Sequence, residues 1–344
     1  MRHRHGAFSG AFRRCNACLS ARGGSGKRDE MDVRWRELLR FDGGWWRRFA
    51  ELGCVYGPEW WKRGSPPVIA AIVFGIARAQ RAAVRRNQRQ VRGRRGWLAE
   101  RWGAYRVFAE FARSMTESME QWGPRPKPLA VEVPDRDVVV GALAEGRGLV
   151  MPTGHFGSWE VAARCLTDLG RPVNLVMARE PNPTVQAFVH ALRTRHGIHV
   201  FYSDRSVFAA LPILQALRRH EIVGMQLDPW GPAPGTEAID FCGRPALLQR
   251  GPFVLARLAR APLVPVFALR TGIRRYELRV AGRFDPTTPA EAQAAFVATV
   301  RAYERVIRER PSQWLMFEDV WRDATGPAPA DYEMVPQASG LRRR

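Results

Sequence analysis

The sequence of 344 residues is poor in cysteine, and it contains no apolar segment long enough to cross a membrane. The five cysteines are scattered, so no disulfide framework is predicted and a reducing compartment is expected. The uncharged apolar run at residues 66–77 is too short for a bilayer-spanning helix, which needs about 20 residues. Residues 1–30 lack the continuous apolar stretch of a secretory signal, so export is not predicted.

The motifs of two enzyme classes are also missing. The histidines form no metal-binding motif, and the pair Cys15 and Cys18 is at most half of a zinc site, because no second pair follows it. A serine hydrolase would need glycine on both sides of Ser158, but Phe156 and Glu160 stand there. We therefore expect neither a resident metal ion nor a cofactor.

Positive charge is what the chain has in excess. Lys and Arg number 54 against 33 Asp and Glu, a formal net charge of +21 at pH 7. Residues 1–130 carry 27 basic and 11 acidic residues, a net +16, so the remaining 214 residues carry only +5. An anionic membrane surface and nucleic acid would both bind such a region, and an arginine-rich composition without function is the third explanation. We expect the membrane surface and no nucleic acid.

The pattern of the N-terminal part favours a membrane. Tryptophans alternate with basic residues between positions 31 and 65, as at a membrane interface, although a helix pair that packs its aromatic rings inward would show the same mixture. Behind the apolar run, basic residues recur every three or four positions with no acidic residue before position 95: Arg78, Arg81, Arg85, Arg89 and Arg92. They share one helical face, which predicts a surface-seeking helix rather than one held by salt bridges.

The rhythm of the chain changes after a proline-rich stretch at residues 123–128, which ends a helix predicted at 97–123. Beyond it, apolar segments alternate with helical ones, which predicts an α/β fold with a largely parallel mixed sheet flanked by helices. Strands are predicted at 148–152, 173–178, 198–202, 222–227, 263–269 and 276–282, and helices at 158–169, 183–196, 207–219, 250–260 and 289–309. The predicted regions are a disordered basic tail at 1–30, a helical membrane-associating region at 31–128, an α/β domain at 129–325 and a flexible tail at 326–344.

The most informative segment follows the first predicted strand of the α/β domain, where His155 precedes Glu160 by five residues. A neutral imidazole can take a proton from a hydroxyl, and a carboxylate on its other nitrogen fixes the tautomer. Residues five apart point about 140° apart on a helix, so these two side chains converge only across a bend. Pro152, Gly154 and Gly157 supply the bend, with Gly157 or Ser158 as the helix N-cap and Glu160 in the first turn of the helix.

A second titratable residue, Asp228, follows the strand predicted at 222–227. Ligands of open parallel sheets bind beyond the carboxyl ends of the strands, so we expect His155 and Asp228 to face one cleft. A loop-capping aspartate would explain the same residue equally well.

The segment from His155 to Glu160 resembles the H-x4-D/E box of bacterial glycerolipid acyltransferases. The version is that of the lipid A late acyltransferases, of lauroyl and myristoyl type, and of their mycobacterial phosphatidylinositol mannoside relatives. The similarity extends over roughly residues 80–322, with further family features in order. These are Asn182-Pro183, Arg193, Leu217–Arg219, Asp228, Phe241–Pro245, Gly251-Pro252, Ala261–Phe267 and Gln313–Leu315.

The resemblance implies that residues 129–325 form the catalytic domain of an O-acyltransferase at the cytoplasmic face of a bacterial inner membrane, peripheral or monotopic. The donor would be a thioester of acyl carrier protein or coenzyme A. The acceptor would be a hydroxyl of a lipid A precursor, a related glycolipid or a lysophospholipid. The alternative is a non-enzymatic basic protein that binds membranes or nucleic acid, in which His155 is a buried histidine with satisfied hydrogen bonds.

The resemblance also implies residue roles. His155 would be the general base and Glu160 its orienting carboxylate, while Arg193 would be a site cation and Asp228 a supporting acid. Because Arg193 lies on a predicted helix with basic neighbours, its guanidinium would suit a substrate phosphate. Substrate contacts are expected from Arg193, Asp228, Gly157 and Ser158. For the oxyanion of the intermediate, we expect donors among the backbone N–H groups of residues 154–158.

Overall fold

The computed structural model describes residues 52–123, 126–177, 186–187, 190, 193–194, 197–202, 210–228 and 235–322. They all belong to one compact unit. The predicted tails at 1–30 and 326–344 lie outside the described residues, and so does most of the helix predicted at 183–196.

In the part of the chain that the structure describes, three helices of 15 residues or more precede the sheets: α1 (Glu59–Ile76), α2 (Arg78–Arg92) and α3 (Trp97–Trp122). Helices α1 and α3 pack together around Phe74, whose ring meets those of Tyr105 and Phe108 edge to face. Among the helices of the described ranges, none is by itself long and apolar enough to cross a membrane. Only α1 and α2 taken together meet that criterion, by length and composition, and they are bent by 101° relative to each other.

The prediction that no salt bridges hold the cationic face of α2 is wrong for two of its five arginines. Arg85 and Arg89 both bind Glu100 of α3, with N–O distances of 3.2 and 2.6 Å. Arg81 donates to the last carbonyl groups of α1. Glu100 lies beyond the segment in which the basic pattern was recognised. It reaches the arginines because α3 folds back against α2.

A wholly parallel sheet of four strands, in the order β2-β5-β3-β4, forms the centre of the α/β part. Its strands are β2 (Leu149–Thr153), β3 (Val173–Met177), β4 (Ile198–Tyr202) and β5 (Ile222–Gln226). Each lies within one residue of its predicted position. Leu149, Val150 and Met151 of β2 and Ile222 and Val223 of β5 are almost fully buried, as parallel strands covered on both faces require.

A second sheet continues the first one. Its strands are β1 (Ala130–Glu132), β8 (Val266–Gly272) and β9 (Arg275–Val280), with β9 parallel to β1 and antiparallel to β8. Isolated parallel bridges join Val150 to Leu263 and Gly157 to Ala268, which places the two sheets edge to edge. The predicted fold class, α/β with a largely parallel mixed sheet, is confirmed. The strand predicted at 263–269 begins three residues too early, since Leu263 makes only an isolated bridge.

Helices cover these sheets, and one hairpin stands apart from them. The helices are α4 (Arg136–Ala144), α5 (Trp159–Thr167), α6 (Ala210–Arg218), α7 (Gly251–Ala259) and α8 (Pro289–Glu309). The hairpin consists of β6 (Thr236–Phe241) and β7 (Arg244–Gln249). Strand β1, helix α4 and the hairpin were not predicted, because each is short and much of its surface is exposed, which leaves only a weak hydrophobic period.

Helix α8 brings one aromatic residue, Tyr303, beneath the carboxyl edge of the parallel sheet. The helix starts in a capping box formed by Thr288 and Glu291. Tyr303 is fully buried, and its ring stacks on those of Phe267 and Phe241 with centroids 5.0 and 5.9 Å apart. These contacts fix the direction of the Tyr303 hydroxyl group.

Candidate active site

The segment from His155 to Glu160 forms a tight turn between β2 and α5. Ser158 is the N-cap of α5 and Glu160 lies in its first turn, as predicted. Gly157 has φ of +55°, and a Cβ atom there would lie 1.8 Å from the carbonyl oxygen of Ala268. Only glycine fits this close approach of two backbones.

The backbone of the turn is held by its neighbours. The N–H of Leu315 donates to the carbonyl of His155 at 2.7 Å, and the N–H of Gly157 donates to the carbonyl of Gln313 at 2.8 Å. The N–H of Phe156 donates to Gly154 at 2.7 Å. The N–H of His155 is also engaged, with Asp228. The prediction that the turn supplies oxyanion donors is therefore wrong for residues 155, 156 and 157.

Sheet register brings His155 to Asp228. Thr153 at the end of β2 pairs with Gln226 at the end of β5, and His155 and Asp228 each follow two residues later. Oδ1 of Asp228 lies 3.1 Å from Nδ1 of His155, and it accepts the backbone N–H of His155 at 2.9 Å. The expectation that these two residues face one cleft agrees with this contact.

Asp228 is completely buried and accepts four hydrogen bonds. Besides the two from His155, Oδ2 accepts the hydroxyl of Tyr303 at 2.7 Å and the indole N–H of Trp314 at 3.1 Å. Burial raises the pKa of Asp228, but the charge of His155 and the hydrogen bonds from His155 and Tyr303 outweigh it, so the pKa lies below its ordinary value. Asp228 is therefore an anion that only accepts, and the proton of the contact with His155 belongs to Nδ1.

Glu160 binds a different partner. Its Oε1 atom accepts a hydrogen bond from Nη2 of Arg193 at 3.0 Å. The Arg193 guanidinium also lies 5.2 Å from the ring centroid of Trp159, and its Nη1 atom is 2.9 Å from Sδ of Met177. The carboxylate on Nδ1 of His155 thus comes from Asp228, whereas the sequence had favoured Glu160. Glu160 lies on α5, whose first turn carries its side chain towards Arg193.

Ser158 and Gly157 take part in holding the turn. Ser158 is buried, and its hydroxyl lies 3.2 Å from that of Ser118 on α3. Their expected contacts with substrate stay predictions.

Two residues around Asp228 were missed. Trp314 lies within the family segment Gln313–Leu315, so the sequence marked its position but not its hydrogen bond to a carboxylate 86 residues earlier. Nothing in the sequence indicated a role for Tyr303, because its position in the helical pattern of α8 is that of any buried helix residue. Among the described residues, no group of three His, Cys, Asp or Glu side chains is placed to hold a metal ion.

Comparison with known proteins places the chain in a family. The family model for the bacterial lipid A biosynthesis acyltransferases matches residues 57–323. The chain is also 27% identical, over 189 residues, to each of two phosphatidylinositol mannoside acyltransferases of Mycobacterium tuberculosis, from strains CDC 1551 / Oshkosh and ATCC 25618 / H37Rv. The alignment covers 54% of this chain and 58% of each relative, so the chain spans little more than half the length of these curated relatives. The matched stretch contains every element from α1 to α8 together with His155 and Asp228, and the chain belongs to the bacterial lipid A biosynthesis acyltransferase family.

Proposed function

We propose that this protein is a membrane-associated O-acyltransferase that moves a fatty acyl chain from a thioester to a hydroxyl group of a lipid. The contact between His155 and Asp228 at the carboxyl edge of the parallel sheet carries the proposal. Membership of the bacterial lipid A biosynthesis acyltransferase family supports it over the alternative, a basic protein that only binds membranes or nucleic acid.

The pair works as a base in this proposal. Asp228 holds the Nδ1–H of His155, so Nε2 is the nitrogen that accepts the proton of the acceptor hydroxyl. The hydroxyl oxygen attacks the thioester carbonyl, and the tetrahedral intermediate collapses with cleavage of the C–S bond. The imidazolium returns its proton to the departing thiolate. The negative charge of Asp228 stabilises the imidazolium throughout, and no acyl-enzyme is needed.

An apolar cavity supports a fatty acyl substrate. It has a volume of about 170 Å³ and lies between α5 and the sheets, with Thr153 and Trp159 beside the His155 turn on its wall. Its apolar lining includes Met151, Ala163, Leu166, Leu175, Val266 and Leu278. An apolar cavity of about 150 Å³ is large enough to bind benzene, so this one has room for a segment of hydrocarbon chain. We assign the end of the acyl chain to it.

Arg193 supports an anionic group on one of the substrates. Glu160, Trp159 and Met177 hold its guanidinium in one place, and only 7% of the residue is exposed. A guanidinium fixed in this way suits a phosphate. In this proposal Glu160 positions Arg193, and the phosphate belongs to the lipid acceptor or to the pantetheine arm of an acyl carrier protein or coenzyme A donor.

The proposed acceptor is a lipid A precursor, a related glycolipid or a lysophospholipid at the cytoplasmic face of the bacterial inner membrane. The printed name of the relatives, phosphatidylinositol mannoside acyltransferase, supports a glycolipid. Incubating the protein with acyl-carrier-protein and acyl-coenzyme A donors against a panel of these acceptors, with detection by mass spectrometry, distinguishes them.

Replacement of His155 tests the proposal. His155→Ala should lower acyl transfer about 10²- to 10⁴-fold, the usual contribution of a positioned base. His199→Ala is the matched control, because His199 is an exposed histidine on β4, and it should keep full activity. Undiminished transfer by His155→Ala, with product identified by mass, would refute the mechanism.

A further inference from the structure

The helices before the sheets leave an apolar surface open at the corner where α1 meets α2. Ile69, Ile72 and Ile76 are exposed on the last turns of α1, while Ala70 and Phe74 are buried against α3. At 3.6 residues per turn, the three isoleucines fall within an arc of about 60°. They therefore form one stripe, which α3 does not cover.

The first turns of α3 continue this stripe. Trp97, Leu98 and Trp102 are exposed there, and Arg101 joins them to α1, because its guanidinium lies 5.4 Å from the ring centroid of Phe74 and 5.8 Å from that of Trp97. We call the combined surface the elbow face and define it by six residues. These are Ile69, Ile72, Ile76, Trp97, Leu98 and Trp102, with exposed fractions between 43% and 71%.

Positive charge surrounds the elbow face. Residues 59–106 contain twelve Lys and Arg and two acidic residues, a net charge of +10. Both acidic residues are in ion pairs, Glu59 with Arg274 and Glu100 with Arg85 and Arg89. Exposed arginines flank the face at positions 78, 94, 95, 101 and 106. The electrostatic complement of the elbow face is therefore an anionic surface.

The corner is built as a fixed element. Arg81 of α2 donates to the carbonyl groups of Phe74 and Gly75, which caps the end of α1 and holds the 101° bend. Phe74 also packs in a core cluster with Phe108 and Leu315. The N–H of Leu315 donates to the carbonyl of His155, so a short chain of contacts connects the elbow face to the candidate active site.

We propose that the elbow face is the surface by which the protein docks on a membrane, with its isoleucines and tryptophans in the headgroup region and its arginines on anionic lipids. Tryptophan and arginine side chains beside exposed aliphatic residues are the composition of a membrane interface. A patch of this kind is also larger than the isolated apolar residues that a soluble surface carries. The proposal rests on the proposed function for one step only, that a lipid acceptor has to be reached.

Vesicle binding tests the proposal with the full chain. Flotation with vesicles of phosphatidylcholine and phosphatidylglycerol should show binding that is stronger than with phosphatidylcholine alone and weaker at high salt. The double variant Ile72→Ser with Ile76→Ser should bind about ten- to a hundredfold more weakly, from the apolar burial that it loses. Leu258→Ser with Ile273→Ser is the matched control, since these residues are exposed to a similar degree elsewhere, and it should bind like the wild type.

Two further measurements separate this proposal from attachment by the arginines of α2 alone and from the proposed enzyme activity. Arg85→Gln with Arg89→Gln should weaken vesicle binding much less than the isoleucine variant, because these arginines are paired with Glu100. Acyl transfer to an acceptor in detergent micelles should be unchanged in the isoleucine variant, because micelles present no vesicle surface to dock on. Vesicle flotation needs no acyl transfer, so a failure of the enzyme assignment would leave the vesicle result valid. Equal vesicle binding by the isoleucine variant and the wild type would overturn the proposal. A second outcome would also overturn it: the wild type binds no vesicles and forms a dimer, and the isoleucine substitutions dissociate that dimer. The elbow face would then be an interface with a second copy of the chain.

Discussion

Replacing Asp228 by Asn separates the two carboxylates that compete for the role of orienting His155. All four groups that contact Asp228 are donors: the backbone N–H and the Nδ1–H of His155 on Oδ1, and the Tyr303 hydroxyl and the Trp314 indole N–H on Oδ2. An asparagine offers one acceptor oxygen and one NH₂ group. Whichever way its amide is turned, the NH₂ group faces at least one N–H donor.

The magnitude follows from these contacts. A buried donor left without an acceptor costs about 1–3 kcal/mol of folding free energy, so Asp228→Asn should lower stability by at least that much. Activity should fall about 10²- to 10⁴-fold, because Nδ1 loses the acceptor that fixes the tautomer and the imidazolium loses its counter-charge. Glu160→Gln keeps an amide oxygen for Arg193 and removes only a charge, so activity should stay within about tenfold of the wild type.

The assay is acyl transfer with each variant, corrected for the folded fraction measured by circular dichroism. Glu304→Gln is the matched control, because Glu304 is a buried carboxylate that accepts a backbone N–H from Cys242, and neither residue contacts His155 in the hydrogen bonds described. It should lose stability while keeping its activity per folded molecule. Loss of activity in Glu160→Gln, with Asp228→Asn within tenfold of the wild type, would refute the reasoning and restore Glu160 as the partner of His155.

Two further predictions concern Tyr303 and the apolar cavity. Tyr303→Phe removes a donor to Asp228, whose pKa should rise towards its ordinary value. A pKa that is lower in the folded state than the unfolded value of about 3.9 stabilises the protein above that value, and this stability is lost as the pH falls through the folded-state pKa. The variant should therefore lose about 1.5–3 kcal/mol of folding free energy at neutral pH and unfold at a higher pH in an acid titration. Identical acid midpoints for the variant and the wild type would contradict this. Ala163→Leu should fill part of the cavity and lower transfer of the longest accepted acyl chain about tenfold or more relative to a shorter one, whereas Ala144→Leu, on the exposed side of α4, should leave the preference unchanged. A preference unaltered by Ala163→Leu would remove the cavity from the acyl site.

Much of the α/β fold could be predicted from the sequence because its elements are strongly periodic. The strands of the parallel sheet are short, continuous apolar segments, and all four lie within one residue of their predicted positions. Strand β1, helix α4 and the β6–β7 hairpin were missed, since a short element that buries only part of its surface leaves little periodicity to recognise.

The candidate site divides in the same way. The sequence marked His155 by its place after a strand and by its family box, and it marked Asp228 by its place after another strand. It could not show which of two carboxylates would reach the imidazole. Glu160 is five residues from His155 and Asp228 is 73 residues away, and spacing along the chain favours the nearer one.

By itself, the sequence determined the candidate histidine, the family to which the chain belongs and the concentration of positive charge before the sheets. The tertiary structure decided which charges meet. The pairing of β2 with β5 sets Asp228 against His155, and the return of α3 along α2 brings Glu100 into ion pairs with Arg85 and Arg89. Both outcomes depend on contacts between segments far apart in the chain, and the local periodicity of a sequence carries no information about the order in which its strands and helices come together.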